Sequence, residues 1–251
     1  MEVHAHTHTA RKKWTHYLWE FLMLFLAVFC GFLAENQREH LIEKRRAKEY
    51  AKALLSDLEA DTLILGKNLK DIAERLNDID SFMVYLEKDR KESMAIGGLY
   101  YYSFKIGGGI EFSVKTATLE QLKNSGSLRY FKNFRLVQLI NEYDEAVWTQ
   151  IRRKENDLIT REKAKESFET VFDFYHAKEI NSLRVQGAPK DSLIQLNSPL
   201  LNKSPENINK LANAVWWRRA TLVNWENTFY KRPYDLAIML IKELQAEYHL
   251  K

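Results

Sequence analysis

Residues 21–34 read Phe-Leu-Met-Leu-Phe-Leu-Ala-Val-Phe-Cys-Gly-Phe-Leu-Ala, so every position is apolar or glycine. Four turns of helix without a polar face are unusual in a soluble core, where a helix normally keeps one polar side. The hydrocarbon core of a bilayer needs about 20 residues of helix. Extending the run to residues 17–35 approaches that length. The sequence therefore predicts a transmembrane helix over residues 17–35.

Trp14, Tyr17 and Trp19 lie just before and at the start of this span, where an interfacial aromatic belt would lie. A cleaved signal peptide is the alternative, because basic residues come before the apolar run. Cleavage after Ala34 would need a small residue three positions before the cut, and bulky Phe32 stands there. We therefore predict an uncleaved signal-anchor. The residues assigned to the membrane anchor are Trp14, Tyr17, Trp19, Phe21, Leu24, Phe25, Val28 and Phe32.

The tail of residues 1–16 is basic and rich in histidine. His4, His6 and His8 would line one face of an extended strand, and histidine is the commonest metal ligand. Nothing in the sequence fixes the three rings relative to one another, and no acidic residue converges on them. A solvated tail is the simpler interpretation, so the three histidines are weak metal candidates and we predict no cofactor.

Basic residues flank the span on both sides, which leaves its orientation open. More Lys and Arg follow the span than precede it, which favours a cytoplasmic domain. The three basic residues of the tail are undiluted by acids, whereas glutamates are interleaved on the other side, and exporting the tail would oppose the membrane potential. We follow the second consideration and expect a bacterial inner-membrane protein with its domain in the periplasm.

A stripe of apolar residues follows the span, in alternating steps of four and three over five heptads. Such a stripe is buried either in a coiled coil with another chain or in a bundle with other segments of its own chain. No Pro or Gly occurs between Glu35 and Gly66, so we expect the anchor helix to continue into this one as a rod. The predicted seam residues are Leu55, Leu58, Leu65, Leu69, Ile72, Leu76, Ile79, Met83 and Leu86.

The rest of the domain, residues 36–251, is predicted to be a bundle of long helices. Aromatic residues at 99–104, the glycines at 107–109 and the alternation at 110–114 predict a small β-hairpin or an ordered loop, followed by a short helix capped by Thr118. A second long helix is expected over residues 134–180. A third begins at Ser204 with Pro205 in its first turn, and Pro233 ends or kinks it. The predicted fold class is all-α.

Motifs of familiar enzyme classes are absent from the sequence. Cys30 lies in the membrane span, and no Gly-x-Ser-x-Gly, phosphate loop or Glu-x-x-His occurs. Asp57 and Asp61 share a helix face outside the seam, where we expect them to be solvated. Trp216 and Trp217 cannot both face a core, which indicates a protein or lipid contact more than a nucleic-acid contact. We predict that the protein is not an enzyme.

Four segments carry a resemblance to a known family: residues 1–14, residues 19–35, Ser56-Asp-Leu-Glu-Ala-Asp-Thr62, and Thr118-Leu-Glu-Gln-Leu-Lys-Asn-Ser-Gly-Ser-Leu-Arg129. They are similar to a family of single-pass membrane proteins from Bacteroidota to which no activity is assigned. The likeness covers most of the chain and is best in the first sixty or so residues. It implies a bacterial membrane protein with a native histidine-rich tail, and it transfers no functional residues.

The sequence leads to a hypothesis of a membrane-anchored helical scaffold or accessory subunit in the bacterial cell envelope. Its expected partners are the lipid bilayer and either a second copy of the chain or another envelope protein, without nucleic acid. The alternative is a ligand-sensing helical bundle. A pocket between helices near residues 100–104 and the glycine-rich turn would favour that alternative.

Overall fold

The structure, a computed structural model, describes residues 14–92 and 97–250. The chain divides into two compact units, Met1–Tyr50 and Ala51–Lys251. The helices are α1 (Trp14–Glu92), α2 (Gly97–Ile106), α3 (Ala117–Asn124), α4 (Phe134–Val171), α5 (Phe174–Val185), α6 (Lys190–Ile194), α7 (Pro205–Trp225) and α8 (Arg232–Tyr248). A 3-10 turn covers Ser127–Tyr130, and a π-helical segment, Glu226–Lys231, separates α7 from α8.

The first unit consists, in its described part, of the beginning of α1. All of its large apolar side chains from Trp14 to Leu33 are exposed. Within the described residues, one helix is long and apolar enough to cross a membrane, and its apolar window lies here with none of it buried. The expectation that α1 continues without an end past Glu35 is met, since the helix ends only at Glu92.

The second unit buries the apolar stripe of α1 inside the chain itself. Leu65 and Ile72 pack with Trp225, Phe229 and Tyr230 at the end of α7 and in the π-helical segment. Further along α1, the core includes side chains of α2, α4, α5 and α7. Burying one such aliphatic side chain stabilises the fold by about 1.5–3 kcal/mol. The stripe therefore packs against segments of its own chain, which answers the choice that the sequence left open.

All nine predicted seam residues are buried or partly buried. Leu69, Leu76 and Met83 are partly buried and pack against the same two cores. Phe82, which stands just before Met83, has its ring 5.8 Å from Phe168 in an edge-on contact, the kind of aromatic pair that adds about 0.5–1.5 kcal/mol. The buried seam residues are Leu55, Leu58, Leu65, Ile72, Ile79 and Leu86.

The predicted β-hairpin is wrong. No strand occurs in residues 14–92 or 97–250. The aromatic stretch belongs to α2, where Leu99, Tyr100, Tyr102 and Ile106 are buried. Residues 107–116 form an irregular segment, here called the 107–116 loop, that connects α2 to α3. Four of its backbone groups form hydrogen bonds with side chains of α1, namely Gly108 O, Gly109 O, Glu111 O and Lys115 N–H.

The helix expected over residues 134–180 is interrupted. It ends at Val171, and α5 begins at Phe174. Asp173 caps α5, since its Oδ1 accepts hydrogen bonds from the backbone N–H of Tyr175 at 2.8 Å and of His176 at 3.3 Å. The Asp173 N–H in turn donates to the hydroxyl of Tyr100 at 2.9 Å. A tertiary contact thus fixes a break that helical periodicity alone does not reveal.

The start of α7 agrees with the sequence. Ser204 Oγ accepts a hydrogen bond from the N–H of Asn207 at 3.3 Å, and Pro205 is the first helical residue. Pro233 lies in the first turn of α8, directly after the π-helical segment. Because proline has no N–H and crowds the preceding turn, the wider π-turn is a suitable place for it.

Candidate functional site

Three polar residues of α1, spaced by seven, hold the 107–116 loop. They are Asp61, Asn68 and Arg75, here called the polar ladder. Lys115 N–H donates to Asp61 Oδ1 at 2.9 Å, Asn68 Nδ2 donates to Glu111 O at 2.9 Å, and Arg75 donates to Gly108 O and Gly109 O. Seven residues are close to two helical turns, so the three side chains share one face beside the apolar stripe.

Asp61 is fully buried, so its expected solvation is wrong. Its Oδ2 accepts a 2.7 Å hydrogen bond from the hydroxyl of Tyr143, in addition to the bond from Lys115 N–H. Burial raises the pKa of Asp61, although these two donors oppose the shift. Burial, followed by the charge of Asp61, raises the pKa of Tyr143. Thr118 does not cap α3 but donates from its hydroxyl to Asp57.

A cluster of three guanidinium groups surrounds one carboxylate at the end of the ladder. Arg75, Arg161 and Arg218 come from α1, α4 and α7, and Asp157 is their shared carboxylate. Arg218 is fully buried, forms a hydrogen-bonded ion pair with Asp157, and donates to Gly108 O at 3.4 Å. Burial lowers the pKa of Arg75 and of Arg218, yet an arginine stays protonated. The cluster therefore carries an excess of positive charge.

Gly108 and Gly109 allow the loop to approach this cluster closely. A Cβ atom on Gly108 would lie 2.8 Å from Arg75 Nη1, and one on Gly109 would lie 2.5 Å from Arg161 Nη1. Real Cβ atoms do not come so near to other heavy atoms. A side chain at either position would therefore have to displace the end of an arginine side chain, which glycine leaves in contact with the loop. The glycine run, which lacks a phosphate-loop motif, has this structural role.

An apolar pocket of about 490 Å³ opens on the other side of the glycine turn. Four phenylalanines and Ala177 supply most of its wall. Phe168 and Phe172 stack on each other, with ring centroids 5.4 Å apart. The guanidinium of Arg184 lies over the ring of Phe104, 5.4 Å from the ring centre. The lining residues are Ser103, Phe104, Gly107, Gly108, Lys165, Phe168, Glu169, Phe172, Asp173, Phe174 and Ala177.

A second concave surface lies between α4 and α7. Trp216 and Trp217 are 52% and 61% exposed, so both are on the surface, and their rings meet edge to face at 4.9 Å. Trp217 lines a groove of about 410 Å³ together with Ile159, which is also exposed, and Arg153. Here this groove is called the Trp217 groove. It joins exposed apolar side chains to a basic one, as protein contact surfaces often do.

The weak metal candidates His4, His6 and His8 lie outside the described residues. In residues 14–92 and 97–250, no group of three or more His, Cys, Asp or Glu side chains is placed to hold a metal ion. Sequence reasoning missed the polar ladder and the arginine cluster, and it named the place of a pocket near residues 100–104 without the residues of α4 and α5 that line it. The seven-residue spacing of Asp61, Asn68 and Arg75 was the one signal that could have found the ladder.

No family model, no curated protein and no solved structure matches this chain. The resemblance to the Bacteroidota family therefore stays a prediction. Any function has to be argued from the geometry of the ladder, the pocket and the Trp217 groove.

Proposed function

We propose that the protein is a membrane-anchored helical scaffold or accessory subunit that acts by protein contact in the bacterial cell envelope. The observation that carries the proposal is the pair of exposed tryptophans beside the Trp217 groove. Tryptophan and arginine are the residues in which binding energy at protein interfaces concentrates. The seam of α1 is already used within the chain, so a partner would bind the Trp217 groove and not the heptad stripe.

The anchor is the second part of the proposal. A continuous apolar surface around four turns of α1 would be a severe aggregation liability in water, and a bilayer covers such a surface. We place the anchor in the inner membrane as a single pass. We place the second unit in the periplasm, because the undiluted basic tail favours the cytoplasmic side.

Site-specific photo-crosslinking in native membranes tests the contact. A photoreactive amino acid at position 217 should give discrete adducts, whereas the same residue at position 134 should give none. Phe134 is 82% exposed but does not line the Trp217 groove, so it controls for exposure alone. A full-length protein that remains a monomer and forms no adduct from position 217 would contradict the proposal.

A second candidate function, ligand sensing by the helical bundle, is favoured by a specific observation. The pocket beside Phe104 and the glycine turn is in the place where the sequence-based alternative requires one. Its volume lies within the range of pockets that bind small molecules, and its wall is mainly apolar with a few polar groups. A thermal-shift screen of the full chain in nanodiscs tests this candidate, and a screen without any stabilising compound counts against it.

A further inference from the structure

The charges around the apolar pocket are unevenly distributed. Lys165 forms an exposed ion pair with Glu162, whose Oε1 lies 2.9 Å from its Nζ. The guanidinium of Arg184 lies over Phe104 and adds a positive charge beside α2. Glu169 is exposed and forms no hydrogen bond or ion pair with any described residue, so it adds a negative charge on α4, and the Asp173 carboxylate adds another as the cap of α5.

The two ends of the pocket differ in electrostatic character. At the glycine turn, the carbonyl of Gly108 accepts hydrogen bonds from Arg75 and Arg218, which belong to the positively charged cluster. Glu169 lies one helical turn beyond Lys165 on α4, and Asp173 follows the end of that helix as the cap of α5. A cationic group would be repelled at the glycine turn and attracted at Glu169. This difference favours one orientation for a charged ligand.

The apolar wall adds a preference for the body of the ligand. The stacked rings of Phe168 and Phe172 are only 8% and 9% exposed, so they form a fixed surface in the core. Phe174, which is 70% exposed, provides an aromatic ring that also lines the pocket. Aromatic rings next to a carboxylate attract ammonium groups, because the ring face is the negative part of its quadrupole.

We infer that this pocket binds a small amphipathic ammonium compound, with its apolar or aromatic body against Phe168 and Phe172 and its cationic head at Glu169. The inference rests on the second candidate function, ligand sensing, and names the ligand class for that same pocket. It is independent of the contact proposed for the Trp217 groove, since the two surfaces share no lining residue.

A series of three compounds with one aromatic body tests the ligand class. Phenethylamine, 2-phenylethanol and phenylacetate carry a cationic, a neutral and an anionic head, respectively. Titration of each into the full chain in nanodiscs, followed by ligand-observed NMR, should give the tightest binding for phenethylamine and the weakest for phenylacetate. Phenylethanol or phenylacetate binding at least as tightly as phenethylamine would overturn the inference and leave ligand sensing intact.

Glu169→Gln tests the assigned head-group position. Glu169 is exposed, so the substitution should preserve the fold, and it should weaken phenethylamine binding by about threefold to fivefold without changing phenylethanol binding. The control is Glu166→Gln, a charge of the same sign on the same helix that does not line the pocket. If the two variants weakened phenethylamine binding equally, the assignment of the cationic head group to Glu169 would be overturned. If none of the three compounds binds, ligand sensing at this pocket fails together with the inference.

Discussion

Two stretches of the same helix place leucine and phenylalanine in opposite ways. In residues 14–34 of α1, apolar side chains point in every direction and all the large ones are exposed. In residues 51–86, a stripe of them recurs every three or four positions and is buried in the core of the second unit, while Leu63 and Val84 lie outside the stripe and are exposed. The second stretch also buries polar groups, those of Asp61 and Asn68, whereas the first has no such residue after Glu20. The distribution of apolar residues around the helix, more than their number, determines which environment each stretch requires.

The largest expected effect comes from placing charge in the first stretch. Leu24→Arg combined with Val28→Arg should release the protein from the membrane fraction, because each arginine at the centre of a span costs about 2.5–3.5 kcal/mol of insertion free energy. Fractionation after alkaline extraction measures the loss. Leu63→Arg is the control, since Leu63 is 78% exposed in the second stretch and its variant should stay in the membrane. A double variant that remains in the membrane fraction would contradict the proposal that residues 14–34 anchor the protein in the membrane.

Breaking the buried charge cluster should have the next largest effect. Asp157→Asn leaves the fully buried guanidinium of Arg218 without its carboxylate partner, and we expect a loss of about 3–5 kcal/mol in the free energy of unfolding. Arg219, the neighbour of Arg218, pairs with Asp80 on the surface at 2.6 Å, so Arg219→Met should cost about 0.2–1 kcal/mol. Urea unfolding followed by tryptophan fluorescence compares the two variants. Equal losses would mean that the cluster does not stabilise the second unit.

A cavity in the seam should have a somewhat smaller effect. Ile72→Ala removes a fully buried side chain from the core that contains Trp225 and Phe229, and we expect a cost of about 2–5 kcal/mol. Leu63→Ala, on the exposed side of the same stretch, should change the free energy of unfolding by less than about 0.5 kcal/mol. Chemical denaturation of both variants checks the pair. Similar midpoints would show that the stripe is not buried in solution.

The smallest expected effect is a dependence on pH at Asp61. Because burial raises its pKa in the folded state, the folded chain holds a proton more tightly than the unfolded chain above the ordinary value of 3.8. The free energy of unfolding contributed by Asp61 should therefore fall as pH rises from 3.8 through the raised pKa, and then level off. Asp61→Asn removes this titration. The stability of the native protein relative to that variant should decrease over the same range, and a constant difference would contradict the assignment.

The parts of the fold that could be predicted depend on local patterns. The apolar run and the heptad stripe predict α1, and Ser204 with Pro205 predicts the start of α7. The break at Asp173 and the helix at Gly97–Ile106 depend on tertiary contacts made by Tyr100, which the sequence does not display. Asp61 resembled a solvated residue because its partners, Lys115 N–H and the Tyr143 hydroxyl, are 54 and 82 residues away.

The pocket was harder to predict than the anchor for the same reason. The apolar run of the predicted anchor is made of consecutive residues, so the sequence displays it directly. The pocket requires α2, α4 and α5 to meet at the break between Val171 and Phe174. The Trp216–Trp217 pair is intermediate, because adjacency indicates that at least one ring is exposed but not that both are.

The polar ladder also has a consequence for how α1 finds its alignment. A heptad stripe of similar leucines and isoleucines would pack almost as well after sliding by seven residues, because each apolar position would meet an equivalent one. The three rungs are chemically different: Asp61 accepts from a backbone N–H, whereas Asn68 and Arg75 donate to carbonyl groups. Sliding by one heptad in one direction would place the Asp61 carboxylate against the carbonyl of Glu111, and sliding in the other would place Phe82 against the carbonyls of Gly108 and Gly109. The order acceptor, donor, donor thus specifies one register of α1 against the 107–116 loop, which the hydrophobic stripe alone does not specify.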